Sequence, residues 1–274
     1  MLTNRARPPV AAAFTLRETS RDVAKTEFDE FSQDYDSLLK DPIIDRFTAG
    51  GREFFHARKC DLIRDYFRRR QIDTGKLEYL DVGCGRGELT MLLRGDFSRV
   101  AGCDPSASML EVGSKVQSKE IETRKQHGTQ LPFNNAQFDF VSAVCVYHHV
   151  PLTDRAALTA EVRRVLRPGG VFAIIEHNPY NPITRLIVSR APVDANAILI
   201  SPAESRRVLR QSGFKIDAQH FFLYLPEILY RRFGRLESQL IKWPLGGQYA
   251  VFGQAIPDNE DWGSPERHKD SHRQ

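Results

Sequence analysis

Cysteine is scarce in this chain. Cys60, Cys84, Cys103 and Cys145 are the four present, and no two of them form a C-x-x-C pair. That spacing argues against a thiol zinc site and against a disulfide framework, and it suits buried thiols in a reducing cytoplasm. Long apolar runs are missing as well: nothing approaches the roughly 18 residues of a membrane span. The N-terminal text MLTNRARPPVAAAFTLRETS lacks the continuous apolar region of a secretory signal. Residues 1–17 hold three arginines and no acid, a presequence-like bias, but Pro8-Pro9 opposes a regular amphipathic helix, so a flexible tail is expected over 1–25. A strong charge of one sign is also lacking. Against 39 basic residues stand 35 acidic ones, a net +4, which suits a mixed solvated surface better than nucleic acid. No internal repeat or low-complexity block appears, and the polar stretch 257–274 reads as disordered.

What is present is an ordinary globular mixture. At 41% hydrophobic and 27% charged over 274 residues, the chain can bury one large domain with a small appendage, or two small domains. From about residue 76, short apolar runs alternate with longer amphipathic ones, the pattern of an α/β doubly wound parallel sheet. Strands are expected over 77–82, 99–103, 138–146, 171–176, 215–224 and 249–255, with a weaker one over 121–126 that the spacing demands. Helices are expected over 87–94, 106–119, 154–167 and 202–212. Arg163, Arg164 and Arg167 followed by Pro168-Gly169-Gly170 read as a helix stop leading straight into a buried strand. Ser201-Pro202-Ala203-Glu204 reads as a capping box with proline at the first helical position. Residues 26–70 read as helical and aromatic-rich, and 226–243 as a helical insert between the last two strands.

The chemistry begins at residues 80–90, LDVGCGRGELT, where the first strand turns into the first helix. Ligands of open α/β sheets bind at the carboxyl ends of such strands. A dinucleotide fingerprint needs G-x-G-x-x-G, but Gly83, Gly85 and Gly87 alternate, and Glu88 takes the place of the third glycine. An unpaired carboxylate about 4 Å from a phosphate would cost about 4 kcal/mol at an effective dielectric of 20. Asp81 and Glu88 therefore suit a ligand whose near end is cationic. The second strand ends at Asp104, 17 residues after Gly87, where a carboxylate can accept both hydroxyls of a ribose. Asp104 could instead cap the helix that Ser106 begins.

Together, D-x-G-x-G-x-G (81–87), GCDPSASML (102–110), QLPF with FDFVSAVCVYHHV (130–150) and EVRRVLRPGGVFAIIEHNP (161–179) resemble the class I S-adenosylmethionine-dependent methyltransferases. The likeness is greatest to the small-molecule, quinone-pathway-like type 11 branch, and its firm part covers residues 77–179. It implies a Rossmann-like doubly wound seven-stranded sheet of order 3-2-1-4-5-7-6 with the last strand antiparallel. It divides the chain into a helical lid over 26–70 and a methyltransferase domain over 71–256 carrying the insert 226–243. It implies S-adenosyl-L-methionine as cofactor and a small-molecule methyl acceptor, with no nucleic acid. Asp81, Gly83, Cys84, Gly85 and Gly87 would hold the methionine end, Asp104 the ribose, and Pro105 and Met109 would pack on the adenine. The acidic residue the family places before L-P-F is replaced here by His127, so Gly128, Thr129 and Gln130 are expected to hold the adenine. Cys145 would border the cofactor, and Tyr35, on the lid text FDEFSQDYDSLL, would lie nearest the sulfonium.

On the acceptor side, His149, His148 and His177 are the candidate catalytic residues, since histidine titrates near neutrality and can take a proton. Packing and loop capping are the alternative roles for His148 and His149. No metal-ligand cluster is apparent. Asn178-Pro179-Tyr180 stands after the fifth strand, not the fourth where an N/D-P-P-Y signature belongs, and reads as a turn. The insert, with apolar residues at helical spacing and arginines between, would cover the pocket, meet a second copy in a homodimer, or rest on an anionic membrane surface. The competing classes are a non-catalytic protein of the same fold and a nicotinamide-dependent oxidoreductase, which the carboxylates around the glycines disfavour.

Overall fold

The computed structural model describes residues 26–48, 51–115 and 121–257; the tail expected over 1–25, and all but the first residue of the tail expected over 257–274, lie outside them. Four helices precede the sheet: α1 (Glu27–Phe31), α2 (Tyr35–Leu38), α3 (Pro42–Phe47) and α4 (Glu53–Arg69). Then β1 (Glu78–Val82), α5 (Glu88–Leu93), β2 (Arg99–Asp104), α6 (Ala107–Ser114), β3 (Glu122–Lys125), β4 (Phe138–Val144), α7 (Arg155–Val165) and β5 (Leu166–His177) follow in alternation. The chain closes with α8 (Pro182–Val188), α9 (Pro202–Gln211), β6 (Phe214–Phe222), α10 (Glu227–Leu240) and β7 (Gln248–Ala255). The strands form one sheet of order β3-β2-β1-β4-β5-β7-β6. The pairs joining β3, β2, β1, β4 and β5 are parallel, and β7 runs antiparallel to both β5 and β6. The expected α/β architecture, strand order and antiparallel last strand are therefore observed.

Side chains alternate across a strand, so β1 divides its residues between two layers. Leu80 and Val82 join Val141, Ala143, Val162 and Phe172 on one face, while Tyr79 joins Phe67, Phe97, Phe140 and Phe252 on the other. The second layer is aromatic: the Tyr79 and Phe140 rings lie 5.2 Å apart and nearly parallel, as do Tyr66 and Phe252 at 4.0 Å. Asp81 shares the face of Tyr79 and therefore enters this apolar layer as a carboxylate.

Three segments depart from the sequence reading. Pro168-Gly169-Gly170 is not a linker ahead of the strand. Leu166 already pairs with Phe138, and the register then slips before Val171 pairs with Phe140. Proline has no amide to give the ladder, and Gly169 adopts a left-handed φ of 78°, so the three residues form an irregularity inside β5. Helix α8 has no counterpart in the reading, although Asn181 caps it by accepting from the Ile183 and Thr184 amides and Pro182 occupies its first turn. Asn178-Pro179-Tyr180 is the expected turn, with the Tyr180 amide donating to Asn178 Oδ1 at 3.1 Å. The insert α10 takes another place than over the pocket. Arg58 of α4 pairs with the buried Glu237 and donates to the Tyr230 hydroxyl, its guanidinium lying 3.8 Å from the Tyr230 ring centre. Glu237 also accepts from the Tyr224 amide at 2.6 Å. These polar ties hold α10 against α4, while Ile228, Leu229, Phe233 and Leu236 remain exposed. No described helix is long and apolar enough to cross a membrane.

Candidate active site

The turn after β1 spends its own amides. Gly83 and Cys84 both donate to the Cys103 carbonyl at 2.7 and 3.0 Å, and Gly87 donates to the Cys84 carbonyl at 2.8 Å. Gly85 donates to Asp104 Oδ2 at 2.8 Å. A phosphate cradle needs such amides free and aimed at the ligand; here four of the five are bonded inside the protein. Gly83, Gly85 and Gly87 all have left-handed φ, between 55° and 81°. A Cβ on Gly83 would fall within 3.0 Å of Val146 Cγ2, whereas one on Gly85 would meet nothing within 4 Å. The Cys84 side chain sits behind the turn against Gly102, so this residue offers the cavity its backbone and not its thiol.

Two carboxylates flank the turn. Asp104 ends β2 at the cavity wall, 7% exposed. Its oxygens accept from the Gly85 and Ser106 amides, each at 2.8 Å. Capping leaves acceptor capacity for a ligand, because a carboxylate has about four acceptor sites and two are used. Burial pushes its pKa up to about 6, against the pull of the Ser106 and Gly85 amides. Asp81 is placed differently from the expectation. At 3% exposure it lies beneath the turn and does not line the cavity. Ser142 Oγ donates to it at 2.9 Å, with the Tyr79 hydroxyl 2.8 Å beyond. Burial pushes its pKa up to about 7, with Ser142, Tyr79 and the Lys59 ammonium opposing. Glu88, the third carboxylate, is neutralised by Arg86, which also grips Asp36 of α2. Tyr35 borders the cavity beside that ion pair, its ring centre 5.4 Å from the Arg86 guanidinium.

The N-terminal helices are tied over this end. Asp29 of α1 accepts from Ser106 Oγ at 2.7 Å and from the Ser108 amide at 3.1 Å, fixing α1 on the β2–α6 corner. Pro105, Met109, Gly128 and Thr129 line the cavity next to Asp104. Gln130 does not; it is exposed and closes a tight turn with His127, its amide donating to the His127 carbonyl at 3.0 Å. Gln126 takes the buried place instead, lining the cavity and donating to the Gly128 carbonyl at 2.7 Å.

The far wall holds the three histidines. β4 ends at Val144, and Cys145 follows with a left-handed φ of 57°. His148 is buried, its Nδ1 2.6 Å from Glu176 Oε2 on β5. His148 Nε2 and His149 Nε2 each lie 3.4 Å from the same oxygen, Asp194 Oδ1. The ring of His149 meets Phe28 of α1 edge-on at 4.8 Å, and His177 stands with its ring centre 5.2 Å from that of His148. Burial alone would lower the His148 pKa, but Glu176 and Asp194 outweigh it and raise it to about 10. Burial alone would raise the Cys145 thiol, yet Lys59 and His177 beside it bring it down to about 7. His177 itself is raised, burial being outweighed by Cys145. All three candidate histidines line the same cavity as Asp104, a space of about 1400 Å³. That exceeds the roughly 300–1,000 Å³ of common ligand sites and leaves room for a nucleoside cofactor and an acceptor together.

Four residues of this wall escape the sequence reading. Lys59, Glu176 and Asp194 enter through the electrostatics above, and Gln248 of β7 through hydrogen bonding. Gln248 donates to Cys145 Sγ at 3.6 Å, while its buried Oε1 has no partner among the described residues. Glu176 had a legible signal, an acid inside the apolar run VFAIIE; Asp194, in the short turn Pro192–Asp194, had none. The fold also brings together ligand atoms of His148, His149 and Asp194, within 4.8 Å of one another, a grouping with no signal in the sequence.

Residues 80–174 match the family model described as a methyltransferase domain. An uncharacterized methyltransferase of Synechocystis sp. is 26% identical over 180 residues, covering 64% of this chain and 80% of that protein. An O-methyltransferase of Penicillium expansum is 30% identical over 50% of this chain and 51% of its own length. A demethylmenaquinone methyltransferase of Lactobacillus johnsonii is 31% identical over 45% and 53% respectively. The chain thus spans about half the length of the last two. In three dimensions, an S-adenosylmethionine-dependent methyltransferase from Thermotoga maritima superposes with a TM-score of 0.60 at 18% identity, covering 83% of this chain and 97% of the other. One from Archaeoglobus fulgidus gives 0.56 at 18%, over 77% and 98%. At such identities these two likenesses establish the fold.

Proposed function

We propose that this chain is a class I S-adenosylmethionine-dependent methyltransferase of the type 11 branch, and that it methylates a small-molecule acceptor held in the cavity between the glycine turn and the histidine wall. The observation that carries this reading is the turn's hydrogen bonding. Its amides are consumed internally and a buried carboxylate, Asp81, lies beneath them, so the site offers little to a phosphate and favours a cation. S-adenosylmethionine has a cationic methionine end and no phosphate, and when bound it supplies an activated methyl group for in-line transfer to a nucleophile.

The protein's share is then binding, alignment and exclusion of water. Asp104 has acceptor sites left for the ribose hydroxyls, and Pro105, Met109, Gly128, Thr129 and Gln126 would enclose the adenine. Gly83, Gly85 and the backbone of Cys84 would lie along the methionine end, with Tyr35 and the Asp29-tethered α1 above. Gly87, outside the cavity lining, would act through the shape of the turn. Cys145 and Gln248 would separate this half from the acceptor half, where His148, His149 and His177 are the groups able to handle an acceptor's proton. A quinol or other phenolic acceptor is the first class to assay, because curated relatives include an O-methyltransferase and a demethylmenaquinone methyltransferase. Four free thiols support a reducing, cytoplasmic setting.

Asp104→Ala tests the cofactor half. Charge-assisted hydrogen bonds contribute about 1.5–3 kcal/mol each, so the variant should bind S-adenosylhomocysteine at least tenfold more weakly in calorimetry. Unchanged affinity would remove Asp104 from the site and the assignment with it. Transfer of isotope-labelled methyl groups from S-adenosylmethionine to a panel of phenols and quinols tests the acceptor half.

A further inference from the structure

The histidine wall contains more than a proton acceptor requires. His148 Nδ1 makes a closed hydrogen bond of 2.6 Å with Glu176, yet its Nε2 and that of His149 both stop 3.4 Å from Asp194 Oδ1. Good N–H···O bonds close to about 2.7–3.2 Å, so the outer contacts are looser than the inner one. Two of the three ligand–ligand separations have the length of the edge of a coordination tetrahedron, since bonds of about 2.0–2.1 Å from a zinc ion place neighbouring ligand atoms about 3.3–3.4 Å apart, and the third separation lies within 4.8 Å. We propose that His148, His149 and Asp194 form a divalent-metal site of the zinc type, with Glu176 as its outer-shell carboxylate.

Four features fit. Two imidazole nitrogens and one carboxylate oxygen are a common donor set for a three-ligand zinc centre with one position open. Glu176 holds Nδ1 of His148, which turns Nε2 toward the metal, the carboxylate–histidine–metal arrangement that sets ring orientation and basicity. Glu176 is itself fixed by the Tyr147 amide at 2.7 Å. Charge also balances: Glu176 and Asp194 are two carboxylates in a wall with side-chain exposures of 1% and 9%, and one divalent ion offsets both. On binding, the ion displaces the Nε2 proton of His148 to solvent, so that the ion and not an imidazolium offsets the two carboxylates, while the Nδ1 proton remains on the Glu176 side. Finally there is an entry path, since all three ligands border the cavity and the His149 side chain is 16% exposed. The open position faces the acceptor half, where an oxygen of the acceptor can occupy it; that consequence rests on the methyl-transfer reading, and the metal site does not.

The test uses the full chain, stripped with chelator and titrated with Co2+ as a spectroscopic probe for zinc, then with Zn2+ in competition. The expected result is one equivalent bound, with the intense visible bands of four-coordinate Co2+ that Zn2+ abolishes. His149→Ala and Asp194→Asn should each bind more than about 100-fold more weakly, and Glu176→Gln about 10–100-fold more weakly, as outer-shell changes do. Thermal unfolding and S-adenosylhomocysteine binding report whether each variant is folded; should Asp194→Asn fail, the partly exposed His149 carries the comparison. Wild-type protein that takes up no Co2+ or Zn2+, or that binds them as well after His149→Ala, would overturn the proposal and leave a hydrogen-bonded histidine–carboxylate cluster. Either result leaves cofactor binding to be judged by its own titration.

Discussion

Gly83→Ala should lower the stability of the fold by about 2–5 kcal/mol and abolish cofactor binding at any concentration where the wild type is saturated. Two costs add. A left-handed φ of 71° strains any residue with a Cβ by about 1–2 kcal/mol. The added methyl would also fall within 3.0 Å of Val146 Cγ2, and overpacking of this kind costs about 1–3 kcal/mol. The neighbouring Gly85→Ala separates the two effects, because its φ is 55° and no atom lies within 4 Å of its Cβ; it should cost only the strain. Val146→Ala in the Gly83→Ala background should recover the packing part and leave the rest. Denaturant unfolding of the four proteins measures all of these. Equal losses for Gly83→Ala and Gly85→Ala would show that contact with Val146 does not govern the turn.

Asp81→Asn should change stability in a pH-dependent direction that separates folding from function. Burial raises the Asp81 carboxyl from 3.8 to about 7, Ser142, Tyr79 and Lys59 opposing and Asp104 adding to the shift. A group whose pKa is raised by folding contributes stability below its unfolded pKa and loses it as pH climbs through the folded one. Between about pH 4 and 7 the wild type therefore gives up as much as about 4 kcal/mol at this position, at 1.36 kcal/mol per unit. The asparagine variant, which does not ionise, escapes the loss. Its melting temperature should move upward relative to wild type by up to roughly 10 °C between pH 5 and pH 8. In return its affinity for S-adenosylhomocysteine should fall, because in the proposed site the ligand's ammonium lies in the field of this carboxylate. A melting-temperature gap that stays constant with pH would mean that Asp81 is not buried as an ionisable group.

The parts of this molecule that were legible in its sequence are those whose signals are local. Gly83, Gly85, Gly87 and Asp104 lie within one strand–turn–helix–strand unit, where spacing alone places them at a common edge of the sheet. The order of the strands followed from a resemblance carried by short motifs. What stayed hidden depends on distant contacts or on ambiguous local text. Asp194 has no motif of its own and acquires meaning only when the 192–194 turn folds back onto His148 and His149. Asp81 reads as a ligand carboxylate, yet the alternation of β1 sends it into the aromatic layer beside Tyr79. Gln130 and Gln126 are interchangeable on paper; the tight turn at 127–130 exposes one and buries the other. The apolar spacing of α10 suggests a pocket cover, whereas its buried Glu237 and the Arg58 it meets, 179 residues apart, dock it on α4. Pro168-Gly169-Gly170 can end a helix or interrupt a strand, and only the pairing of Leu166 with Phe138 decides.

In the proposed reading, the glycine turn is shaped for a cationic, phosphate-free nucleoside. Calorimetric titration of the full chain with S-adenosylhomocysteine and, separately, with NADH tests it most directly. One site of micromolar or tighter affinity is expected for the first and no measurable heat from the second. Binding of NADH at this turn, with none of S-adenosylhomocysteine, would contradict it.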